Sequence, residues 1–221
     1  MPGRLLLRAG EHPGHWYGDT AALAALGLAV DAPVTEQEMS NLFGWGIHPR
    51  TWEPLGRGWM SNSVTGFGVT FSSPKSFSAA WALAEPGTAR VFDAAHRAGV
   101  RAGLNYLGRH AALSRIGAGG LTQIATAGLA AAVYEHTTAR PTPWSPGDPQ
   151  KHTHCLIANK VLCSDGDWRT LDGREIYAHA KAAQAVALAV ERAVLAREFG
   201  VVFAPTNGMA TARSPRCPRH W

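Results

Sequence analysis

Three histidines in this chain have a spacing that would let them hold one catalytic metal ion. His152 and His154 lie two residues apart in a β-rich run, so both imidazoles should point to one face of a strand. His136 lies near the end of another strand-like run, residues 130–138, and a Pro- and Gly-rich loop over 140–149 separates the two runs. Strands joined in this way pair antiparallel, which brings His136 beside the other two. Three neutral imidazoles leave positions open for water or substrate, as a catalytic divalent cation requires.

Histidines can also be present without binding a metal. The chain contains ten histidines, and an isolated histidine is often a core or surface residue without a chemical role. The shared spacing of three histidines is less easily explained in that way. A closed structural zinc site is disfavoured, because Cys155 should point away from His154 and neither Cys163 nor Cys217 belongs to a CxxC pair. We therefore interpret the cluster as an open metal site.

Length and composition indicate a soluble globular protein. A chain of 221 residues with 46% hydrophobic residues can bury a substantial core as one α+β domain. No uninterrupted apolar stretch reaches the roughly 20 residues of a membrane span, so no membrane insertion is expected. Three scattered cysteines predict no disulfide framework and favour a reducing cytoplasm. The net charge of +5 suggests a polyanionic partner, although charge alone is weak support for nucleic-acid binding.

The elements that must position the histidines can be read from periodicity and capping patterns. The predicted helices cover residues 20–29, 35–43, 76–84, 88–111 and 176–199, and the predicted strands cover residues 68–72, one or two segments within 121–138, and 155–163. Thr35 followed by Glu38 is a capping-box pattern, and Gly200 should end the last helix. A Gly-, Pro- and Trp-rich loop is expected over 44–62. The predicted architecture is an antiparallel sheet with helices packed on one face and the histidines on the other.

The domain boundary is predicted at the point where the periodic spacing of apolar residues ends. Residues 1–206 are predicted to form one domain. Residues 207–221 carry prolines and arginines without an apolar period and are predicted to be a disordered tail. That tail is interpreted as a solvated terminus, or alternatively as a basic arm that contacts phosphates.

Several segments carry a resemblance to a known family. They are His136-Thr-Thr-Ala-Arg140, Asp148-Pro-Gln-Lys-His152-Thr-His154 and Ala158-Asn159, together with Gly66 to Ser76 upstream and Asp165 to Arg174 downstream. Together they resemble the three-histidine signature of MobF-class conjugative relaxases of the TrwC/TraI type, from about Gly14 to Val202. The resemblance implies the palm-like antiparallel sheet of the HUH endonucleases.

The resemblance also implies an activity and a set of partners. Relaxases of this class cut one DNA strand at a transfer origin and remain attached to it through a tyrosyl phosphate. The implied cofactor is a divalent ion, Mg²⁺ or Mn²⁺, which His136, His152 and His154 would hold against the scissile phosphate. The implied partners are single-stranded DNA and other conjugation proteins. Asp148 either shapes the turn before Pro149 or orients a ligand imidazole.

Three further residues are expected to contact DNA. Lys75 follows Pro74 at a predicted helix start, where backbone N–H groups also favour anions. Arg140 begins the loop beside the histidines and is the second expected phosphate contact. Trp144 in the same loop could stack on a base, or could equally pack back onto the domain.

The chain also departs from the family pattern. The family's nucleophilic tyrosines precede the segment that this chain resembles, so we expect a relaxase domain that starts after them and lacks the helicase region. Tyr17 is the remaining N-terminal candidate nucleophile, or else a packing aromatic residue in a Trp-X-Gly turn. Gly68 stands where the family usually has an aspartate, and Lys151 stands where it favours a leucine.

These departures leave three hypotheses for the function. The first is a metal-dependent DNA strand transferase, impaired by the loss of its tyrosine segment. The second is a non-catalytic DNA-binding remnant of a relaxase. The third is an unrelated three-histidine metallohydrolase, which the Asp-Pro-Gln-Lys-His-Thr-His context disfavours.

Overall fold

A four-stranded antiparallel sheet lies at the centre of the molecule. The structure, a computed structural model, describes residues 13–144, 147–204 and 211–213. The strands are β1 His15–Gly18, β2 Gly66–Ser72, β3 Leu113–Ile116, β4 Thr122–Ala125, β5 Ala130–Thr138, β6 Pro149–Ala158, β7 Val161–Leu162, β8 Trp168–Arg169, β9 Val202–Ala204 and β10 Thr211–Arg213. The helices are α1 Thr20–Ala25, α2 Glu36–Met39, α3 Lys75–Leu83, α4 Pro86–Ala111 and α5 Gly173–Phe199, with a π-helix over Ser40–Trp45. In the central sheet the strand order is β1-β5-β6-β2.

Helices α4 and α5 cover the first face of this sheet. The buried residues of this layer are Phe67, Val69, Phe71, Val100, Leu104, Leu107, Ala131, Val133, Cys155, Ile157, Ala183 and Ala187. The two helices approach each other closely at Gly99, where an added Cβ would lie 2.6 Å from the carbonyl oxygen of Ala187. A glycine is required at that contact because any side chain would push the helices apart.

Helix α5 has a defined cap at each end. The Asp172 carboxylate accepts hydrogen bonds from the guanidinium and the backbone N–H of Arg174, and these bonds lower the pKa of Asp172 to about 2. Gly200 ends the helix with a φ of 62°, as the sequence predicts. The caps therefore fix the limits of the helix that backs the sheet.

Within the described residues, the second face of the sheet is covered at one end only. Helix α1, helix α2 and the π-helix pack over β1 and the first half of β5, burying Trp16, Ala132 and Tyr134. The predicted capping box is present, since Glu38 N–H donates to Thr35 Oγ1 and Thr35 N–H donates to Glu38 Oε2. Farther along β5 the strand surface is only half-buried.

A short hairpin continues from the last residue of the π-helix, Trp45, and is called the tryptophan hairpin here, residues 45–55. Ile47 pairs with Pro54, and the chain reverses between them. At its tip Trp52 has a φ of 67°, a left-handed conformation that costs a non-glycine residue roughly 1–2 kcal/mol. Such a conformation persists only where the surrounding contacts hold it.

The predicted fold class is confirmed, and the differences lie in individual elements. The Trp-X-Gly segment is not a turn but the edge strand β1, which is too short to show alternation. The predicted strand over 155–163 begins earlier, at Pro149, and breaks at Asn159. The buried Asn159 side chain accepts from Leu171 N–H and donates to the Val64 carbonyl, which ties two loops to the sheet.

The predicted tail is described only in part. Thr211–Arg213 form β10, which pairs with β9, whereas residues 207–210 and 214–221 lie outside the described residues. Disorder of those residues stays a prediction. None of the described helices combines the length and apolarity that a membrane span needs.

Candidate metal centre

The pairing of β5 with β6 brings the three predicted histidines together. His136 lies directly opposite His152, and His154 lies opposite Tyr134, two residues along β5. Side chains at directly paired positions, and at every second position along a strand, share one face. All three imidazoles therefore project from the second face of the sheet, away from α4 and α5 and beyond the part that Tyr134 and its neighbours cover.

The spacing of the rings matches that of ligands to one ion. The ring centres of His136 and His152 are 5.1 Å apart, and His154 lies 4.9 Å from each of them. With metal–nitrogen distances of about 2.1 Å, three imidazoles that share an ion have ring centres roughly 5 Å apart. The donor set and its spacing thus fit a divalent cation.

Two hydrogen bonds orient the ligands on β6. His152 Nδ1 lies 3.0 Å from the carbonyl oxygen of Gln150, which only accepts, so this nitrogen carries the hydrogen. In a neutral His152, Nε2 then holds the lone pair that a metal would accept. His154 Nδ1 lies 3.0 Å from Thr70 Oγ1 on the neighbouring strand β2. Bonds of this kind fix ring orientation in metal sites.

Over the described part of the chain, no three His, Cys, Asp or Glu side chains are already arranged to hold an ion. The strand register nevertheless places the three rings side by side on one face.

Two of the other predicted residues pair with each other beside this cluster. Lys75 Nζ lies 3.2 Å from Asp148 Oδ2 and donates to the Pro149 carbonyl at 3.0 Å. The structure thus places Asp148 against a lysine and not against a histidine. Both side chains are more than half exposed, so the pair contributes at most about 1 kcal/mol, and a phosphate could replace Asp148.

The remaining predicted residues fall on both sides of the sheet. Arg140 is exposed, and the Trp144 side chain is 94% exposed, so Trp144 does not pack back onto the domain. Tyr17 pairs with Ala131 and projects toward α4, where its hydroxyl bonds Asn105 Oδ1 at 3.2 Å. The structure therefore does not bring Tyr17 together with the histidines.

Among the tyrosines, Tyr134 is the one on the histidine face. It is only 4% exposed, and burial raises its pKa to about 12, which disfavours the phenolate that attacks a phosphate. Tyr106 and Tyr177 lie on α4 and α5, the helices of the opposite face.

Gly68 lies on the same face as the histidines. It is two residues from Thr70, the residue that contacts His154, and an added Cβ would meet no atom within 4 Å. A residue with a Cβ would therefore fit at this position without a close contact at that atom.

Comparisons with known proteins agree with this geometry. The family model described as TrwC relaxase matches residues 6–215. The chain is a member of the TrwC relaxase family. No curated protein matches the sequence.

Solved structures of TrwC resemble the chain over most of its length. The conjugative relaxase TrwC in complex with oriT DNA, in a copper-bound form, is 26% identical with a TM-score of 0.72, covering 90% of this chain and 64% of that chain. A metal-bound form gives the same identity and TM-score, covering 90% and 65%. TrwC with a 27-mer DNA that comprises the recognition hairpin and the cleavage site is 25% identical, with a TM-score of 0.68, covering 90% and 67%. The chain thus spans slightly less than two thirds of the first of these relatives.

Sequence reasoning missed a buried polar network behind the histidines of this relaxase-family chain. Thr153 lies between His152 and His154 but points to the first face, where its hydroxyl contacts His96 Nε2 at 2.8 Å. His96 Nδ1 contacts Ser73 Oγ at 2.8 Å, and Ser73 Oγ donates to Glu191 at 2.9 Å. One signal was available: Glu191 interrupts the buried run Ala183, Ala187, Leu195 of α5.

Lys151, two residues before Thr153 on the same strand, is a second buried polar residue on the first face. The Lys151 side chain is 4% exposed, forms an ion pair with Asp93, and lies 4.5 Å from the centre of the Trp81 ring. The ammonium charge is thus accommodated by a carboxylate on α4 and an aromatic ring on α3.

We expect Asp93→Ala to lower the free energy of unfolding by about 2–4 kcal/mol. Removing one partner leaves the other charge buried and unpaired, although the quarter-exposed Asp93 site admits some water. Urea denaturation of the variant measures the effect. The matched control is the double variant Lys151→Leu, Asp93→Leu, which should recover most of the loss. A single variant as stable as the wild type would show that the pair has no structural importance.

Proposed function

We propose that this chain is the core of a relaxase, which binds single-stranded DNA at a transfer origin and holds a divalent cation with His136, His152 and His154. The observation that carries this proposal is the cluster of three imidazoles within 5.1 Å of one another on the partly open face of the sheet. Relatives of the same fold were solved with bound metal and with oriT DNA, which supports the assignment.

The donor set bears on which ion is held. A bound divalent ion would supply a Lewis acid that offsets the charge developing on the scissile phosphate. Imidazole nitrogens favour transition ions, whereas Mg²⁺ prefers oxygen ligands. Of the two ions expected from the resemblance, the chain should therefore bind Mn²⁺ more tightly than Mg²⁺.

The chain's own residues would bind and orient the DNA strand. Arg140 and Lys75 flank the histidine cluster at the ends of β5 and β6 and would contact phosphates. The exposed indole of Trp144 would stack on a base, which contributes about 1–3 kcal/mol. The strand would then lie across the second face of the sheet with its scissile phosphate at the histidines.

Strand transfer also needs a tyrosine in line with that phosphate. Tyr17, Tyr106 and Tyr177 lie on the helix side, and Tyr134 is buried. The transfer step therefore requires a nucleophile other than these four tyrosines.

These observations also favour a second candidate function, DNA binding without strand transfer. Gly68 offers no acid or base next to Thr70 and His154. In this case the chain would still hold a metal ion and DNA, but it would form no covalent intermediate.

We expect the chain to bind a labelled single-stranded oligonucleotide more tightly than the matching duplex, with affinity falling steeply as salt increases. The net charge of +5 and the exposed Arg140 provide the electrostatic attraction to the DNA phosphates. Fluorescence anisotropy at several salt concentrations measures it. Arg140→Ala should weaken binding and reduce the slope of log Kd against log salt by about 1.

The control for this experiment is Arg197→Ala. Arg197 lies in the last turn of α5 and is equally exposed, but it pairs with Glu198 on the helix side. This variant should bind like the wild type. Absence of binding at low salt, or binding that is insensitive to salt, would disprove the proposed DNA-binding function.

A further inference from the structure

Two large aromatic side chains of the tryptophan hairpin, residues 45–55, are exposed. Trp45 ends the π-helix and is 67% exposed, and Trp52 at the hairpin tip is 58% exposed. π-helical turns occur frequently at functional sites. Exposing one indole is unremarkable, but two in one short hairpin indicate a contact surface.

The backbone at Trp52 gives an independent indication. Its φ of 67° lies in the left-handed region, which a bulky residue rarely adopts and which glycine would adopt without strain. A side chain that is both exposed and strained contributes little to the folded domain itself. Strain of this kind clusters at ligand-binding sites.

The hairpin is held rigidly against the domain. The fully buried Asn41 side chain donates to the Pro49 carbonyl at 2.9 Å, and the Arg50 guanidinium lies 3.3 Å from Glu38. His48 Nδ1 accepts hydrogen bonds from the backbone N–H groups of Arg50 and Thr51. The tip is therefore preorganised, which lowers the entropic cost of binding.

The hairpin also lies on the side of the sheet that carries the histidines. Leu55 and the π-helix residues Leu42 and Phe43 pack in the same cluster as Ala132 and Tyr134. Tyr134 is the strand partner of His154. A strand bound at the histidines can therefore continue toward the hairpin without crossing to the other face.

We propose that Trp45 and Trp52 form a second base-stacking platform for single-stranded DNA. This inference rests on the proposed DNA-binding function, which it extends from the histidines to the far end of the same face. Flat indoles stack on any base, so the platform would hold the strand without reading its sequence. Because the Arg50 charge is shared with Glu38, the contribution of the hairpin is stacking and not phosphate attraction.

The decisive variant is Trp52→Gly, which removes the indole ring and also removes the backbone strain at the positive φ of this residue. Its thermal midpoint should equal or exceed that of the wild type, so weaker binding cannot be attributed to unfolding. The Kd for a labelled oligo-dT should rise about 5- to 100-fold, with an unchanged slope against log salt. Trp45→Ala should show a similar loss, and Trp52→Tyr should retain most of the affinity.

Two controls make the result specific. Tyr177→Ala removes an aromatic ring that is 73% exposed on α5, on the opposite side of the sheet, and should bind like the wild type. An abasic oligonucleotide of the same length offers nothing to stack on, so the wild type and Trp52→Gly should bind it equally.

The outcomes separate this inference from the proposed function. If the wild type binds oligo-dT but Trp52→Gly and Trp45→Ala bind it equally well, the platform is wrong and the proposed function stands. The platform is also wrong if the loss persists on the abasic oligonucleotide or changes the salt slope. If the wild type binds no single-stranded DNA at low salt, both proposals fail.

Discussion

Replacing His154 with alanine is expected to weaken binding of Mn²⁺ by at least about 100-fold. His154 lies 4.9 Å from each of the other two rings, so its loss removes one of three ligands from the shared position. Loss of an outer hydrogen-bond partner alone typically costs about 10–100-fold in metal affinity, and a direct ligand should cost more. Titration calorimetry with Mn²⁺ on the wild type and the variant gives the two dissociation constants.

Two further variants test the same assignment. Thr70→Ala removes the hydroxyl 3.0 Å from His154 Nδ1 and should weaken binding about 10-fold or more while the ligands stay in place. His110→Ala, on α4, changes a histidine of the opposite layer and should have no effect. Binding that is lost in His110→Ala but kept in His154→Ala would place the ion elsewhere.

The part of this site that lies on β5 and β6 could be predicted from local sequence patterns. The His-X-His alternation and the Pro-rich loop together indicated which strands pair and which face the rings share, and the register of His136 with His152 confirms that geometry. The capping box at Thr35 and the end of α5 at Gly200 are equally local, because each is decided within four residues.

Features that depend on distant residues were not predictable in the same way. The partners of Lys151 and Thr153 come from α3 and α4, so no window around β6 contains them. The side of the sheet on which Tyr17 lies depends on the register of an edge strand four residues long. The pairing of Asp148 with Lys75 joins positions 73 residues apart.

The 221-residue chain should form no covalent adduct with DNA. Positioning a nucleophile in line contributes several kcal/mol to such a reaction, and none of the four tyrosines is both exposed and on the histidine face. The assay is a denaturing gel of the protein mixed with oligonucleotides from a matching transfer origin, with Mn²⁺ or Mg²⁺ present. The expected result is free protein alone, with at most slow hydrolysis by water.

Supplying a tyrosine nucleophile is the complementary experiment. Fusing a segment that bears a tyrosine to the N-terminus should allow the adduct to form in part. Gly68→Asp should raise the yield further, since the position is open and lies next to the Thr70–His154 contact. An adduct that forms with the unmodified chain and disappears in Tyr17→Phe would show that Tyr17 is the nucleophile.

The connection between β5 and β6 has an evolutionary consequence. Its ends are joined where Ala139 N–H donates to the Asp148 carbonyl at 2.9 Å, immediately beyond the paired residues Thr138 and Pro149. Lengthening a loop whose ends are already fastened costs only about 0.6 kcal/mol for each doubling. Insertions between these residues can therefore accumulate in descendants of this chain while the histidine register stays the same.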